Sequence, residues 1–93
     1  MGMKFKVYEV KTIHFDGVTD YEQSFLYADY QDAVNKFKEL VKEAKKINWI
    51  EEGLNSGNDK YILKNNINYW SFHIDEVLNY KSYEVLIEER EVF

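Results

Sequence analysis

Apolar residues recur at three- and four-residue spacing over 30–47, where Tyr30, Ala33, Val34, Phe37, Leu40, Val41, Ala44 and Ile47 share one face of a helix. Lys36, Lys38, Glu39, Lys42, Glu43, Lys45 and Lys46 fill the opposite face, with lysines crowding the last turns as the helix dipole favours. Asp29 stands where an N-cap belongs, and Asp32 follows three residues later as a short version of the capping-box acid.

The segments on either side of this helix read as strands. Residues 4–15 are rich in β-branched and aromatic side chains and end at Asp16-Gly17, a turn signal. Their alternation is imperfect. Phe5, Val7, Ile13 and Phe15 share one parity, Tyr8, Val10 and Thr12 the other, and Glu9 and Lys11 interrupt the first, so either a bulge near Glu9 or a strand covered on both faces is expected. A second strand over 22–28 sets Phe25 and Tyr27 against Leu26 and Ala28, closing a hairpin whose loop is 16–20.

Beyond the helix, after Trp49, 51–59 is dense in Glu, Gly, Asn, Ser and Asp and reads as a mobile loop. A short strand over 61–63 turns at Asn65-Asn66 into a longer one over 67–76, with Trp70, Phe72 and Ile74 on one side. After a turn at 79–81 the last strand, 82–92, points Tyr83, Val85 and Ile87 one way. The predicted fold is α+β: one amphipathic helix packed on a four- to five-stranded antiparallel sheet in the order β-β-α-β-β(-β), a single domain over 1–93.

Composition narrows the chemistry. With no cysteine, disulfides, thiolate metal sites and Cys nucleophiles are excluded. The chain enters its first strand pattern without a signal-peptide or membrane-spanning run, which makes the cytosol the expected location and no membrane partner expected. His14 and His73 both fall on predicted strands; His73 and Asp75 share a face and could pair, but no metal-ligand spacing accompanies them. The four glycines are too scattered for a phosphate-cradling loop, and no serine sits in a nucleophile elbow. No catalytic residue, metal or cofactor is predicted. A small enzyme or ligand-binding protein built on the His73 and Asp75 neighbourhood is kept as the third reading.

Charge points to binding. A formal charge of −5 and a lone guanidinium, Arg90, argue against direct nucleic-acid contact, although sixteen aromatics would suit base stacking. The acids are unevenly spread. Asp16, Asp20, Glu22, Asp29 and Asp32 have no basic residue among them, and Glu84, Glu88, Glu89 and Glu91 surround Arg90 alone. Together with aromatics on an uncovered sheet face, for which Tyr8, Tyr69 and Trp70 are the candidates, they form the expected surface for a protein partner with a basic face. The alternative is a self-associating accessory domain that dimerises through that sheet face.

Eleven Lys to one Arg, eight Asn, seven Ile and no Pro is the usage of an AT-rich genome. In size, acidity and usage the chain resembles the small phage and mobile-element proteins that block host defences, including anti-CRISPR inhibitors; the likeness covers no motif. It implies a non-enzymatic inhibitor of a nucleic-acid-binding or defence protein in the host cytosol.

Overall fold

A computed structural model describes residues 5–92; the first residue of the strand expected from Lys4 lies outside it. The elements run β1 (Phe5–Phe15), β2 (Asp20–Tyr27), α1 (Tyr30–Ala44), α2 (Asn48–Ser56), β3 (Tyr61–Asn66), β4 (Tyr69–Ile74) and β5 (Lys81–Val92). Two helices thus pack on a five-stranded antiparallel sheet ordered β2-β1-β5-β4-β3. The α+β class holds, and the second helix is the main departure from the sequence pattern.

Alternation fixes which side the helices cover. Val10 pairs with Phe25 and Ile87, Thr12 with Val85, and Trp70 with Val85, so one continuous face carries the apolar set of all the central strands. Against it α1 lays Ala33, Leu40 and Ala44 and α2 lays Ile50; these four join Val10, Trp70, Phe72 and Val85 in the buried core. The register of β1 runs unbroken past Glu9 against both neighbours, so of the two alternatives the bulge is not found and β1 is the strand with both faces partly covered. Glu9 and Lys11 point to the other face, where ion pairs rather than apolar contacts receive them.

Asp29 caps α1 as expected, its carboxylate accepting from the Gln31 amide at 2.8 Å. The helix stops at Ala44, short of Ile47. Lys46 and Ile47 instead donate to the carbonyls three residues back, at 3.1 and 3.0 Å, which tightens the chain into a turn. Ile47 is extended and its carbonyl accepts from Ile50 and Glu51, starting α2 where a loop is predicted. Trp49, Ile50 and Gly53 then face inward together, and Gly57, at φ 66, ends the helix in the left-handed region. The 65–66 turn moves as well: both asparagines remain in β3, and the chain reverses at Ile67-Asn68, with Asn68 at φ 65.

With central strands of 11 and 12 residues, the molecule is long, 54 × 23 × 17 Å. Its radius of gyration of 15.3 Å exceeds the roughly 12 Å of a round chain of this length. The two ends of the sheet are therefore separate surfaces. Among the described residues no helix is long and apolar enough to cross a membrane.

Candidate functional site: the open sheet face and its hairpin end

The face turned away from the helices carries the odd-numbered residues of β1 and their partners. At its centre Glu9, only 8% exposed, accepts a short hydrogen bond from the Ser24 hydroxyl. Its Oε1 also lies 2.6 Å from Arg90 Nη2 and 3.5 Å from Lys11 Nζ, and both cations reach on to Glu88 at 3.7 and 3.5 Å. The Ser24 hydroxyl, followed by the two cations, holds the Glu9 carboxyl below its usual range. This network occupies the middle of the sheet face and consumes the one guanidinium and Glu88.

A different surface forms where β1 meets β2 and β4 meets β5. Phe15 pairs with Ser82, so the two loops leave the sheet side by side. Gly17, at φ 102, lies against its neighbour: a Cβ there would sit 3.6 Å from the Lys81 side chain and 3.8 Å from the Tyr80 carbonyl. Asp16 shapes its own loop by accepting from the Val18 and Thr19 amides at 2.9 and 2.8 Å, and those amides keep its carboxyl below the usual range and ionised. The tips are apolar. Val18 is 88% exposed, Val77 98% and Leu78 99%, with Tyr21 and Tyr80 half-exposed beside them.

Charge gathers at the same end. Glu22 and Glu84 flank Ile13 in one cross-strand row, two strand spacings or roughly 9.6 Å apart, and Asp20 stands in the next row beside Phe15. None of Asp16, Asp20, Glu22 and Glu84 has a cationic partner within ion-pair distance among the described residues. The other predicted acids lie elsewhere. Glu88 is held in the Glu9 network, Glu89 is paired with Lys6 at 2.9 Å, and Glu91 is exposed near the start of β1. Asp29 and Asp32 sit at the N-terminus of α1, whose Tyr30 packs on Tyr8 with ring centroids 5.2 Å apart, at the opposite end of β1 from Asp16. The predicted acids therefore do not make one patch: only Asp16, Asp20, Glu22 and Glu84 gather at the hairpin end.

No protein family, curated protein or solved structure matches the chain.

Of the aromatic candidates, Tyr69 lies on the open face, whereas Tyr8 faces the helices and Trp70 is 1% exposed beneath them. Burial removes Trp70 from the open sheet face, because the β4 register turns even-numbered residues inward. Sequence reading also passes over Val18, Val77 and Leu78; the available signal is apolar side chains set inside turn segments, where solvated residues are the rule. His73 packs near Tyr80, ring centroids 6.1 Å apart, and no ion pair to Asp75 forms. Among the described residues no three His, Asp or Glu side chains are placed to share a metal ion.

His14 has a distinct environment. It points to the helix side and packs against Tyr83, Tyr21 and Trp49 at 4.7, 5.8 and 6.3 Å between centroids. Its Nε2 and the Trp49 Nε1 are both buried without a hydrogen-bond partner among the described residues. Burial, aided by Lys81 and opposed by Asp16, pushes the imidazole below its ordinary 6.5. The unfolded chain therefore binds this proton more readily than the folded one. Stability is expected to be flat above about pH 7.5, to fall as pH drops through 6.5, and to level off below the folded-state value. Urea melts at pH 7.5 and 5.5 check this: His14→Phe should remove most of the difference, and an unchanged difference would assign it to other groups.

Proposed function

We propose that this chain is a protein-binding module whose hairpin end docks on a basic protein surface. The observation that carries the reading is the coincidence, at one end of a long molecule, of exposed Val18, Val77 and Leu78 with the unpaired acids Asp16, Asp20, Glu22 and Glu84. Exposed apolar side chains rimmed by charge are how interaction sites present themselves, the apolar tips supplying burial and the acids supplying steering and register. A nucleic-acid-binding protein fits this surface best as a partner, since its cationic channel would accept a carboxylate-bearing wedge in place of a phosphate backbone. Occlusion of that channel in the host cytosol, without chemistry, is the mechanism.

Affinity capture from a lysate of the encoding organism tests the reading at 0.1 M and 1 M salt, between which the Debye length falls from ~10 to ~3 Å. The expected partner is basic, is retained at the lower salt and is lost at the higher. It should also be lost to the triple variant Asp20→Lys/Glu22→Lys/Glu84→Lys. Capture that survives both changes would overturn the electrostatic docking.

A second reading draws support from the rest of the open face, where Leu26, beside Glu9 on the β2 edge, is 65% exposed and Phe5, at the start of β1, is 54% exposed. With β2 an uncapped sheet edge, these residues favour a homodimer across the sheet face. Light scattering over a concentration series decides it, and a strict monomer retires it.

A further inference from the structure

The helices do not cover their sheet face evenly. α1 crosses β1 and β5, α2 is seated with Gly53 over Tyr61 and Phe72, and between α1 and the β3–β4 hairpin a groove of ≈ 370 Å³ opens. Phe37 and Val41 form its wall and Trp70 its floor. Along its rim stand Lys38 and Lys42 on one flank of α1 and Lys45 at its C-cap, spaced i, i+4, i+7, with Asn65 facing them from β3.

Three features set this groove apart. No carboxylate lines it, in a chain of net charge −5. None of its three ammonium groups lies within ion-pair distance of an acid among the described residues, whereas Lys36 on the other flank is paired with Glu39 at 3.6 Å. Its volume falls in the ~300–1,000 Å³ range of small-molecule sites, which combine an apolar lining with a few polar groups that fix orientation.

We propose that the groove between α1 and the β3–β4 hairpin binds a small single-headed amphiphilic anion, a carboxylate or phosphate monoester on an apolar chain or ring. The apolar body lies along Phe37 and Val41 above the Trp70 edge, and the head group is held at the rim by the three lysines, with the Asn65 amide as a further donor. Three point charges on flexible stems suit one compact anion better than an extended polyanion. The groove also lies on the helix side, away from the hairpin end, so this site stands or falls separately from the protein docking proposed above.

Titration of the folded chain with decanoate and decyl phosphate, followed through the Trp70 indole signal and by calorimetry, tests the site. Decanol supplies the body without the charge, and inorganic phosphate the charge without the body. One or both amphiphiles should bind saturably at one site and shift Trp70, with decanol and inorganic phosphate at least about tenfold weaker, the scale of one charge-assisted hydrogen bond. Lys38→Gln/Lys42→Gln should weaken binding by about tenfold or more, while Lys46→Gln/Lys64→Gln, with the same change in net charge outside the groove, should leave it within about twofold. The proposal is overturned by no saturable binding, by decanol binding as tightly as decanoate, by inorganic phosphate matching the amphiphiles (an adventitious ion only), or by equal losses in the two double variants.

Discussion

Trp70→Ala is expected to lower stability by about 3–5 kcal/mol, the largest effect of any single truncation in this fold. The indole is 1% exposed and holds together three parts of the core. It stacks toward Phe72 at 6.4 Å and 17°, meets Tyr83 edge-on at 6.4 Å and 68°, and lies opposite Val85 in the register. Alanine leaves a cavity that β4 cannot close, because its backbone is hydrogen-bonded to β3 on one side and β5 on the other. Small domains have a total margin of ~0.05–0.15 kcal/mol per residue, so this chain stands roughly 5–14 kcal/mol above unfolding and the loss is a large share of it. A fall in Tm of at least about 12 °C should follow, at ~4 °C or more per kcal/mol. Tyr69→Ala is the control. Its side chain is on the open face, so it should cost less than half as much; the reverse order would mean that β4 is paired one residue out of register.

The inward parity of β4 and β5 is legible in the sequence because Trp70, Phe72 and Ile74 alternate with Ser71 and His73, and Tyr83, Val85 and Ile87 lie between Ser82, Glu84 and Glu88, with Leu86 the one exception. The parity of β1 is not, since both of its sets carry large apolar groups. What settles it is long-range: Val10 meets Phe25 and Ile87 inside, while Glu9 finds Ser24, Lys11 and Arg90 outside, and Arg90 is 81 residues away in the chain. The acidic hairpin at Asp16, Asp20 and Glu22 is readable, but its neighbour in space is Glu84 rather than the whole glutamate-rich end of β5. Strand alternation divides that end, sending Glu84 and Glu88 to the open face and Glu89 and Glu91 to the other.

The open face gains its meaning from the same division. A sheet covered on one side only would expose an apolar platform if its strands were uniform, and here the centre of that platform is replaced by a carboxylate with three partners. Such a network closes the middle of the face to a purely apolar contact and leaves its two ends as the places where burial can be gained. One end carries Phe5, with Leu26 on the β2 edge beside the network, and the other carries Val18, Val77 and Leu78 at the same end as Asp16, Asp20, Glu22 and Glu84. The unpaired acids at the second favour the proposed docking there and leave the first to the proposed self-association.

Gly53→Ala is expected to destabilise the chain by about 1–3 kcal/mol, although alanine is the better helix former by ~1 kcal/mol. An added Cβ would lie 2.6 Å from the Tyr61 ring and 2.7 Å from the Phe72 ring, and Phe72 is buried at 2% exposure with no room to retreat. α2 must then lift from β3 and β4. Glycine here marks a close approach of helix to sheet, which is why a segment dense in turn residues reads as a loop yet folds as a helix. Gly57→Ala separates contact from conformation: its Cβ would meet nothing within 4 Å, so its cost is only that of a left-handed φ of 66, about 1 kcal/mol. The two variants should also differ in kind. Gly53→Ala should strip amide protection from the whole of α2 and alter the fluorescence of Trp49, whose ring lies 5.9 Å from Phe72, whereas Gly57→Ala should loosen only the last turn. If Gly53→Ala instead raises Tm, as it would at a solvent-facing helix position, then α2 does not rest on Tyr61 and Phe72.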